Sequence, residues 1–151
     1  MASSVPGIGA DRGLIAHGAV MTLLGLLSGF TPLFARAPGA ALEAHTIGVL
    51  QGAMLFGLAA IWPALGPTRT IVKVARYCVL VGFYANWVGA QLAGLWSARA
   101  MFSVHAATMP SGAARWMEAT VAVLLNLSLL VVAACLLILW ALRPQPATPS
   151  D

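Results

Sequence analysis

The sequence predicts an all-α integral membrane protein, folded as a bundle of four transmembrane helices. Of the 151 residues, 60% are hydrophobic and 8% are charged, whereas a soluble domain carries about 25% charged residues. The mean hydropathy is +0.90, and no polar segment is long enough to form a separate soluble domain. We therefore expect residues 1–151 to form a single membrane domain.

Two apolar runs in the first half of the chain predict the first pair of helices, at 13–34 and 44–65. Each run reaches the about 20 residues that a helix needs to cross roughly 30 Å of hydrocarbon. Neither run alternates polar and apolar residues as a barrel strand does, so a helix is the remaining way to satisfy the backbone in lipid. Pro38 and Gly39 fall in the linker between them.

The second half of the chain predicts two more helices, at 74–96 and 116–142. A short Gly-Pro linker precedes the third helix, and residues 97–115 form the longest linker. The end of the chain is short and rich in proline, so we expect residues 143–151 to be a disordered tail.

The positive charges predict the orientation of the chain. Five Lys and Arg residues fall on the side of the N-terminus and three on the other side. Because cytoplasmic loops carry the excess of positive charge, we expect both termini in the cytoplasm and the chain in the inner membrane. Charges confined to linkers indicate contacts with lipid headgroups rather than with nucleic acid. The five are Arg12, Arg69, Lys73, Arg76 and Arg143, and the three are Arg36, Arg99 and Arg115.

The residue types exclude several common sites. The chain has no P-loop, no dinucleotide fingerprint and no Cys-x-x-Cys, and its acidic residues all lie at helix ends or in loops. Cys78 and Cys135 lie inside apolar runs, where free cysteine behaves as a small hydrophobic residue. We therefore expect no disulfide and no catalytic triad.

His45 opens the second predicted helix and shares a face with two glycines. At 100° per residue, Gly48 lies about 60° and Gly52 about 20° from His45. Burying a polar group without a partner costs roughly 2–7 kcal/mol, so the imidazole needs a partner. A neighbouring helix or interfacial water is one alternative. The other is a metal, with a flat macrocycle lying against the glycine face as a haem packs on a helix.

His17 opens the first predicted helix and is the obvious second ligand. Consecutive spans run antiparallel, however, so His17 and His45 lie near opposite membrane surfaces, roughly 30 Å apart in depth. One iron cannot bind both, and we expect His17 to make a structural hydrogen bond. The GxxxG patterns Gly25–Gly29 and Gly48–Gly52 permit close approach of two helices, or of a helix and a flat ligand.

Five further polar residues inside the spans are candidates for a functional site: Gln51, Tyr84, Asn86, Gln91 and Asn126. Counted from the same membrane surface, Gln51 is about 10 Å deep and Asn86 about 15 Å deep, so both can line one cavity or bond neighbouring helices. Tyr84 adds a phenol near that depth. Asn126, midway along the fourth span, is expected to bond a neighbouring helix.

Three stretches of the sequence resemble the styrene oxide isomerase family of small membrane proteins. Ala44-His45-x-x-Gly48-x-x-Gln51-Gly52 resembles the family's histidine motif, Ala-His-x-x-Gly-x-x-Asn-Gly. Ala16-His17-Gly18 and the apolar run behind it resemble the first helix of the family. Gly82-Phe83-Tyr84-Ala85-Asn86 resembles an aromatic-Gly-Asn segment of its third helix. The resemblance covers residues 13–142.

The resemblance implies a homotrimer of four-helix chains with a haem b between neighbouring subunits. His45 corresponds to the single axial ligand of the ferric iron, which binds the oxygen of an apolar aryl epoxide. The C–O bond then breaks and a 1,2-hydride shift gives an aldehyde, a Meinwald rearrangement without redox turnover. An apolar pocket in the membrane keeps the cationic intermediate from water, and no general base is needed.

The sequence thus predicts a haem-dependent epoxide isomerase, with His45 as metal ligand and Gly48 and Gly52 beside the haem. Gln51, Tyr84 and Asn86 are the candidates for the pocket. The chain departs from the family where Gln51 replaces an Asn, and where an Asp and a Tyr of the third helix fall at Gly82 and Ala90. One alternative is a haem-binding anchor for electron transfer, with His105 as the outside candidate for a second ligand. Another is a scaffold without a cofactor.

Overall fold

The prediction of a four-helix membrane bundle is confirmed. A computed structural model describes residues 9–66, 69–101, 109–110 and 112–143, so His105 and the predicted tail from residue 144 lie outside the described residues. Four stretches within these ranges are long and apolar enough to cross a membrane. The helices are α1 (Arg12–Ser28), α2 (Pro38–Ile61), α3 (Thr70–Trp96), α4 (Arg115–Leu127) and α5 (Leu130–Ala141). Short 3₁₀ segments, Thr31–Leu33 and Trp62–Leu65, follow α1 and α2.

Two helices begin earlier than predicted. α2 begins at Pro38 rather than at residue 44, because a proline suits the first helical position, where its fixed φ fits and its missing N–H costs no bond. α3 begins at Thr70 rather than at residue 74. Lys73 therefore lies on the first turn of α3 and not in a linker.

The helices pack in chain order. α1 packs against α2, and α2 packs against α3. α4 and α5 pack against α3 on the side away from α2. Glycine permits the close contact between α2 and α3: a Cβ added at Gly94 of α3 would lie 2.6 Å from the backbone N of Ala41 of α2. Antiparallel packing with Gly94 beside Ala41, and Trp87 beside Gly48, sets the register of α3 on α2.

The fourth span is broken, which the sequence did not predict. α4 and α5 are separated by Ser128 and Leu129, whose N–H groups donate to carbonyl oxygens three residues back. The Ser128 hydroxyl also donates to the carbonyl of Leu125 over 2.6 Å. Gly82 of α3 faces this break, where an added Cβ would lie 3.1 Å from the backbone N of Val131. The absence of a side chain at Gly82 therefore lets α3 approach the break.

Asp11 fixes the start of α1 to two other helices. Its carboxylate accepts a hydrogen bond from the N–H of Leu14 at 2.9 Å, which caps α1, and it forms an ion pair with Arg76 of α3. The backbone N–H of Asp11 donates to the carbonyl of Ala59 in α2 at 2.9 Å. The Arg76 guanidinium, by its hydrogen bonds, holds the pKa of the Asp11 carboxyl below its usual value.

Candidate functional site

His45 lies on the face of α2 that packs against α1, and its ring has a defined orientation. Nδ1 lies 2.8 Å from the carbonyl oxygen of Gly25. A carbonyl only accepts, so Nδ1 carries the proton and donates it. The ring is then the Nδ1–H tautomer, and Nε2 keeps its lone pair. Within the described residues, Nε2 makes no hydrogen bond.

The end of α1 explains why Gly25 can accept this bond. The last four carbonyls of a helix have no partner within the helix. α1 ends at Ser28, and the N–H of Gly29 turns to the carbonyl of Leu26 at 3.1 Å. The Gly25 carbonyl is thereby left for His45. A histidine that binds a metal typically donates its other ring N–H to such an oxygen, which fixes the tautomer and the ring orientation.

The donor set near His45 suits a metal that brings its own ligands. Among the described residues, no three His, Cys, Asp or Glu side chains come together in a metal-binding group. A bare ion at His45 would thus have one strong ligand, whereas the iron of a porphyrin already has four nitrogen ligands and needs one axial imidazole. His45, half-buried and with Nε2 unbonded, fits that need.

The expectation that Gly48 and Gly52 offer a bare face to a flat ligand is wrong for this fold, because α1 covers that face. A Cβ added at Gly48 would lie 2.5 Å from the Cα of Gly25, and one added at Gly52 would lie 2.8 Å from the backbone N of Thr22. The two GxxxG patterns serve helix–helix contact. A macrocycle bound to His45 would therefore have to lie beside α1 and α2 and not between them.

His17 makes the structural hydrogen bond that was predicted for it. Its Nδ1 lies 3.1 Å from the hydroxyl oxygen of Tyr84, and the two rings form an edge-to-face pair with centroids 5.8 Å apart. Tyr84 therefore reaches from α3 to α1. This contact separates the Tyr84 hydroxyl from the other pocket candidates.

Gln51 is the most deeply buried of those candidates. It is 7% exposed, and its Oε1 is a buried oxygen without a hydrogen-bond partner. Ala41 of α2 lies beside Gly94 of α3, and Gly48 lies beside Trp87. Because the two helices are antiparallel, each residue forward along α2 corresponds to one residue back along α3. Gln51 therefore lies at the level of residue 84. An acceptor left unpaired in the interior costs about 1–3 kcal/mol.

Asn86 lies at almost the same depth as Gln51. Two residues separate it from the level of residue 84, which is about 3 Å along a helix. It is half-buried and lies about 60° round α3 from Gly89 and about 80° from Gly94. Gly89 contacts α4 and Gly94 contacts α2. Asn86 thus lies between those two packing faces, and the fold brings it to the level of Gln51 while turning Tyr84 toward α1.

Two polar contacts near His45 were missed in the sequence. Trp87 Nε1 donates to the Ser28 hydroxyl at 3.1 Å, and Gln91 Nε2 donates to the Thr31 hydroxyl. The Oε1 of Gln91 is buried without a partner. The spacing of Tyr84, Trp87 and Gln91, at i, i+3 and i+7, was the available signal that one face of α3 bonds to α1.

The family that this chain resembles has polar residues at two positions of its third helix, which correspond to Gly82 and Ala90 here. Both positions are tightly packed in this fold. At Gly82, a Cβ would meet Val131 and the Ser128 carbonyl, so the fold has no room for a carboxylate. Ala90 is fully buried. The polar groups of this site are therefore those of Gln51 and Asn86, together with the imidazole of His45.

Comparisons with known proteins point to one family. The family model of styrene oxide isomerase matches residues 10–143. Hydroxylaminobenzene mutase HabB of Ectopseudomonas oleovorans is 37% identical over 136 residues, which is 90% of this chain and 83% of the relative. Hydroxylaminobenzene mutase HabA of the same organism is 34% identical over 94 residues, 62% of this chain and 70% of the relative. No solved structure matches.

These matches identify a multi-pass membrane protein of the isomerase or mutase type. The family model covers well over half of the chain, and a relative above 30% identity is covered over most of its own length. The chain belongs to the styrene oxide isomerase family.

Proposed function

We propose that this protein isomerises a small arylhydroxylamine within the membrane, by moving its hydroxyl oxygen from nitrogen to the aromatic ring. The names of both similar proteins give hydroxylaminobenzene as what they act on. In the proposed reaction the N–O bond breaks and a C–O bond forms on a ring carbon. That carbon loses a proton and the nitrogen gains one, so the product is an aminophenol of the same composition.

The observation that carries the choice of substrate is the unpartnered Oε1 of Gln51. A buried acceptor with no donor among the residues that the structure describes fits a ligand that brings a donor. An arylhydroxylamine has an N–H and an O–H, whereas an aryl epoxide has an acceptor oxygen and no donor. A site built to bond a substrate hydroxyl or amine discriminates strongly against an analogue without it.

The side chains of this site would orient the substrate and exclude water. Gln51 accepts a hydrogen bond from the hydroxylamine, and Asn86, at the same level, offers an amide N–H to the departing oxygen. The surrounding helices are apolar, which protects an electron-poor nitrogen or ring from attack by water. The carboxylates of the described spans, Glu43 and Glu118, lie within two turns of a helix start, so the proton changes at the level of Gln51 must use the substrate itself or bound water.

We further propose that the protein binds haem b through Nε2 of His45. The hydrogen bond from Nδ1 to Gly25 supports this, because it presents the second nitrogen with its lone pair. When bound, the haem would supply a Lewis-acidic ferric iron. Gly25 would then act on a bound iron indirectly, by fixing the orientation of the ring and the tautomer that presents Nε2.

An aryl epoxide is the second candidate substrate. The match to styrene oxide isomerase over residues 10–143 favours it. The placement of the carboxylates of the described spans, Glu43 and Glu118, near helix starts also favours it, since a 1,2-hydride shift needs no base. An electron-transfer anchor is disfavoured because it needs a second axial ligand. His17 is held by Tyr84, and His105 lies outside the described residues.

The assembly and placement in the cell remain proposals of the same kind. The resemblance supports a homotrimer with haem between subunits, and the covering of Gly48 and Gly52 by α1 agrees with a haem lying at the outside of one chain. The excess of Lys and Arg on the N-terminal side supports cytoplasmic termini in the inner membrane.

The test is to offer both substrates to the purified full-length protein. We expect conversion of hydroxylaminobenzene to an aminophenol, with styrene oxide converted to phenylacetaldehyde at least about 100-fold less efficiently. His45→Ala protein, prepared in the same way, measures spontaneous rearrangement. Formation of phenylacetaldehyde without aminophenol would establish the second candidate in place of the first, and turnover of neither would refute both.

A further inference from the structure

The fourth span is barely packed within one chain. Of all the residues in α4 and α5, Val121 and Ala134 are the buried ones. The outer face is apolar and suited to lipid at most positions. Its exposed large side chains are Trp116, Val123, Leu127, Leu129, Val132, Leu136, Leu139 and Trp140.

Asn126 is the exception on this face. It is exposed, whereas the other amide side chains of the described spans, Gln51, Asn86 and Gln91, are buried or half-buried. Asn126 lies eleven residues from the start of α4, which is about 16 Å along the helix and near the middle of a bilayer core of about 30 Å. Amide groups facing hydrocarbon at that depth are rare, because lipid tails offer no hydrogen bonds.

The surface around Asn126 is concave. The helix break beside it opens a groove of about 500 Å³. Next to the amide, the small side chains of Ala119 and Ala122 allow another helix to approach closely. The groove is lined by Ala122, Val123, Asn126, Leu127, Leu129 and Leu130.

The hydrogen bonds of Asn126 are half satisfied by its own helix. Its Nδ2 donates one proton to the carbonyl of Ala122 at 2.7 Å. The amide has a second N–H and a carbonyl oxygen, and neither has a hydrogen-bond partner among the described residues. One donor and one acceptor therefore remain on the same amide. Two such amides can form hydrogen bonds with each other.

We infer that this face of α4 is a contact between copies of the chain, in which Asn126 of each copy bonds Asn126 of the next. The free N–H of one amide meets the free oxygen of the other, which satisfies both in hydrocarbon. A lipid cannot supply either bond. The contact is separate from the α1–α2 face that holds His45, because α4 packs on the opposite side of α3. It does not depend on the substrate or on haem.

Cysteine cross-linking of the full chain in membranes tests this contact. In a Cys78→Ser, Cys135→Ser background, Asn126→Cys should form an intermolecular disulfide on mild oxidation. Val132→Cys is the matched control, since it is exposed on the same span but lies about 120° round the helix. We expect at least several-fold more cross-linked product at position 126. Equal or lower cross-linking at 126 would overturn the inference.

Self-association of the purified protein is the second measurement, because cysteine can itself alter packing. Asn126→Leu should weaken association between copies about threefold to twentyfold, the range of interhelical hydrogen bonds in membranes. Asn126→Gln, which keeps the amide, should restore at least part of it. A wild-type protein that is monomeric in bilayers, or an Asn126→Leu variant that associates as tightly as wild type, would refute the contact.

Discussion

The His45 imidazole donates its Nδ1 proton to the carbonyl oxygen of Gly25 across 2.8 Å. This bond joins the second turn of α2 to the last turn of α1, where the helix leaves its own carbonyls without partners. It also decides which nitrogen of His45 keeps a lone pair. One ring thereby supplies a partner for a carbonyl of α1 and leaves Nε2 with its lone pair for the proposed iron.

The glycine contact between α1 and α2 should be sensitive to a single methyl group. We expect Gly48→Ala to destabilise the protein by about 1–3 kcal/mol, the usual cost of overpacking, because its Cβ would lie 2.5 Å from the Cα of Gly25. Gly57→Ala is the matched control on the same helix. A Cβ there meets nothing within 4 Å, so it should be neutral or stabilise by up to about 1 kcal/mol. Thermal unfolding in detergent measures both, and equal effects would contradict the packing.

Gln51→Leu should have opposite effects on stability and on activity. Removing an unpartnered buried acceptor should leave stability unchanged or raise it by about 1–3 kcal/mol. Losing the hydrogen bond to the substrate should lower kcat/KM for hydroxylaminobenzene about tenfold or more. Unfolding curves and steady-state rates test the two parts. A less stable variant with full activity would show that Gln51 is bonded within the protein.

His17 and Tyr84 should be energetically coupled. A double-mutant cycle with His17→Phe and Tyr84→Phe removes the 3.1 Å hydrogen bond while it keeps the aromatic rings. We expect a coupling of about 0.6 kcal/mol and at most about 1.7 kcal/mol, as for other interhelical bonds in membranes. Additive effects of the two substitutions on unfolding would contradict the pairing.

Much of this fold could be predicted from the sequence, since span length and apolar content alone locate four helices. The start of α2 was placed late because Pro38 and Gly39 look like a linker, although proline is favoured at a helix start. The break at Ser128 depends on how closely α3 approaches through Gly82, which is a tertiary contact. The sequence also could not decide what packs against the Gly48 face, since a neighbouring helix and a flat ligand both require small residues there.

The candidate residues could be selected from the sequence, but their hydrogen-bond partners could not. Gln51 and Asn86 stood out as amides inside apolar spans. The bond from Tyr84 to His17, 67 residues away, depends on the register of α1 against α3. The acceptor for His45 depends on α1 ending at Ser28, which no local signal in the sequence specified.

The ion pair between Asp11 and Arg76 should make the stability of the folded protein depend on pH. Because the folded-state pKa of Asp11 is lowered by Arg76, the ionised carboxylate stabilises the folded state at neutral pH. This contribution is at most about 1 kcal/mol for a pair near the surface. It begins to weaken as the pH falls toward 3.8, the ordinary pKa of an aspartate carboxyl. It is lost once the pH passes below the folded-state pKa.

Asp11→Asn isolates this charge effect, because asparagine caps a helix as well as aspartate. The wild type should unfold at a higher temperature than Asp11→Asn at pH 7, and the difference should shrink as the pH falls below 4. Melting curves between pH 7 and pH 3 measure it. A difference that stays constant over this range would assign the effect to something other than the ion pair.

The most direct test of the central claim, that Nε2 of His45 binds a haem iron, is the visible absorption spectrum of the protein purified from cells supplied with haem. We predict a Soret band of a ferric haem with one strong axial ligand. Haem content should fall at least about tenfold in His45→Ala, while His17→Ala, the other histidine of the described spans, keeps it. A colourless wild-type protein, or a His45→Ala variant with an unchanged Soret band, would contradict the account.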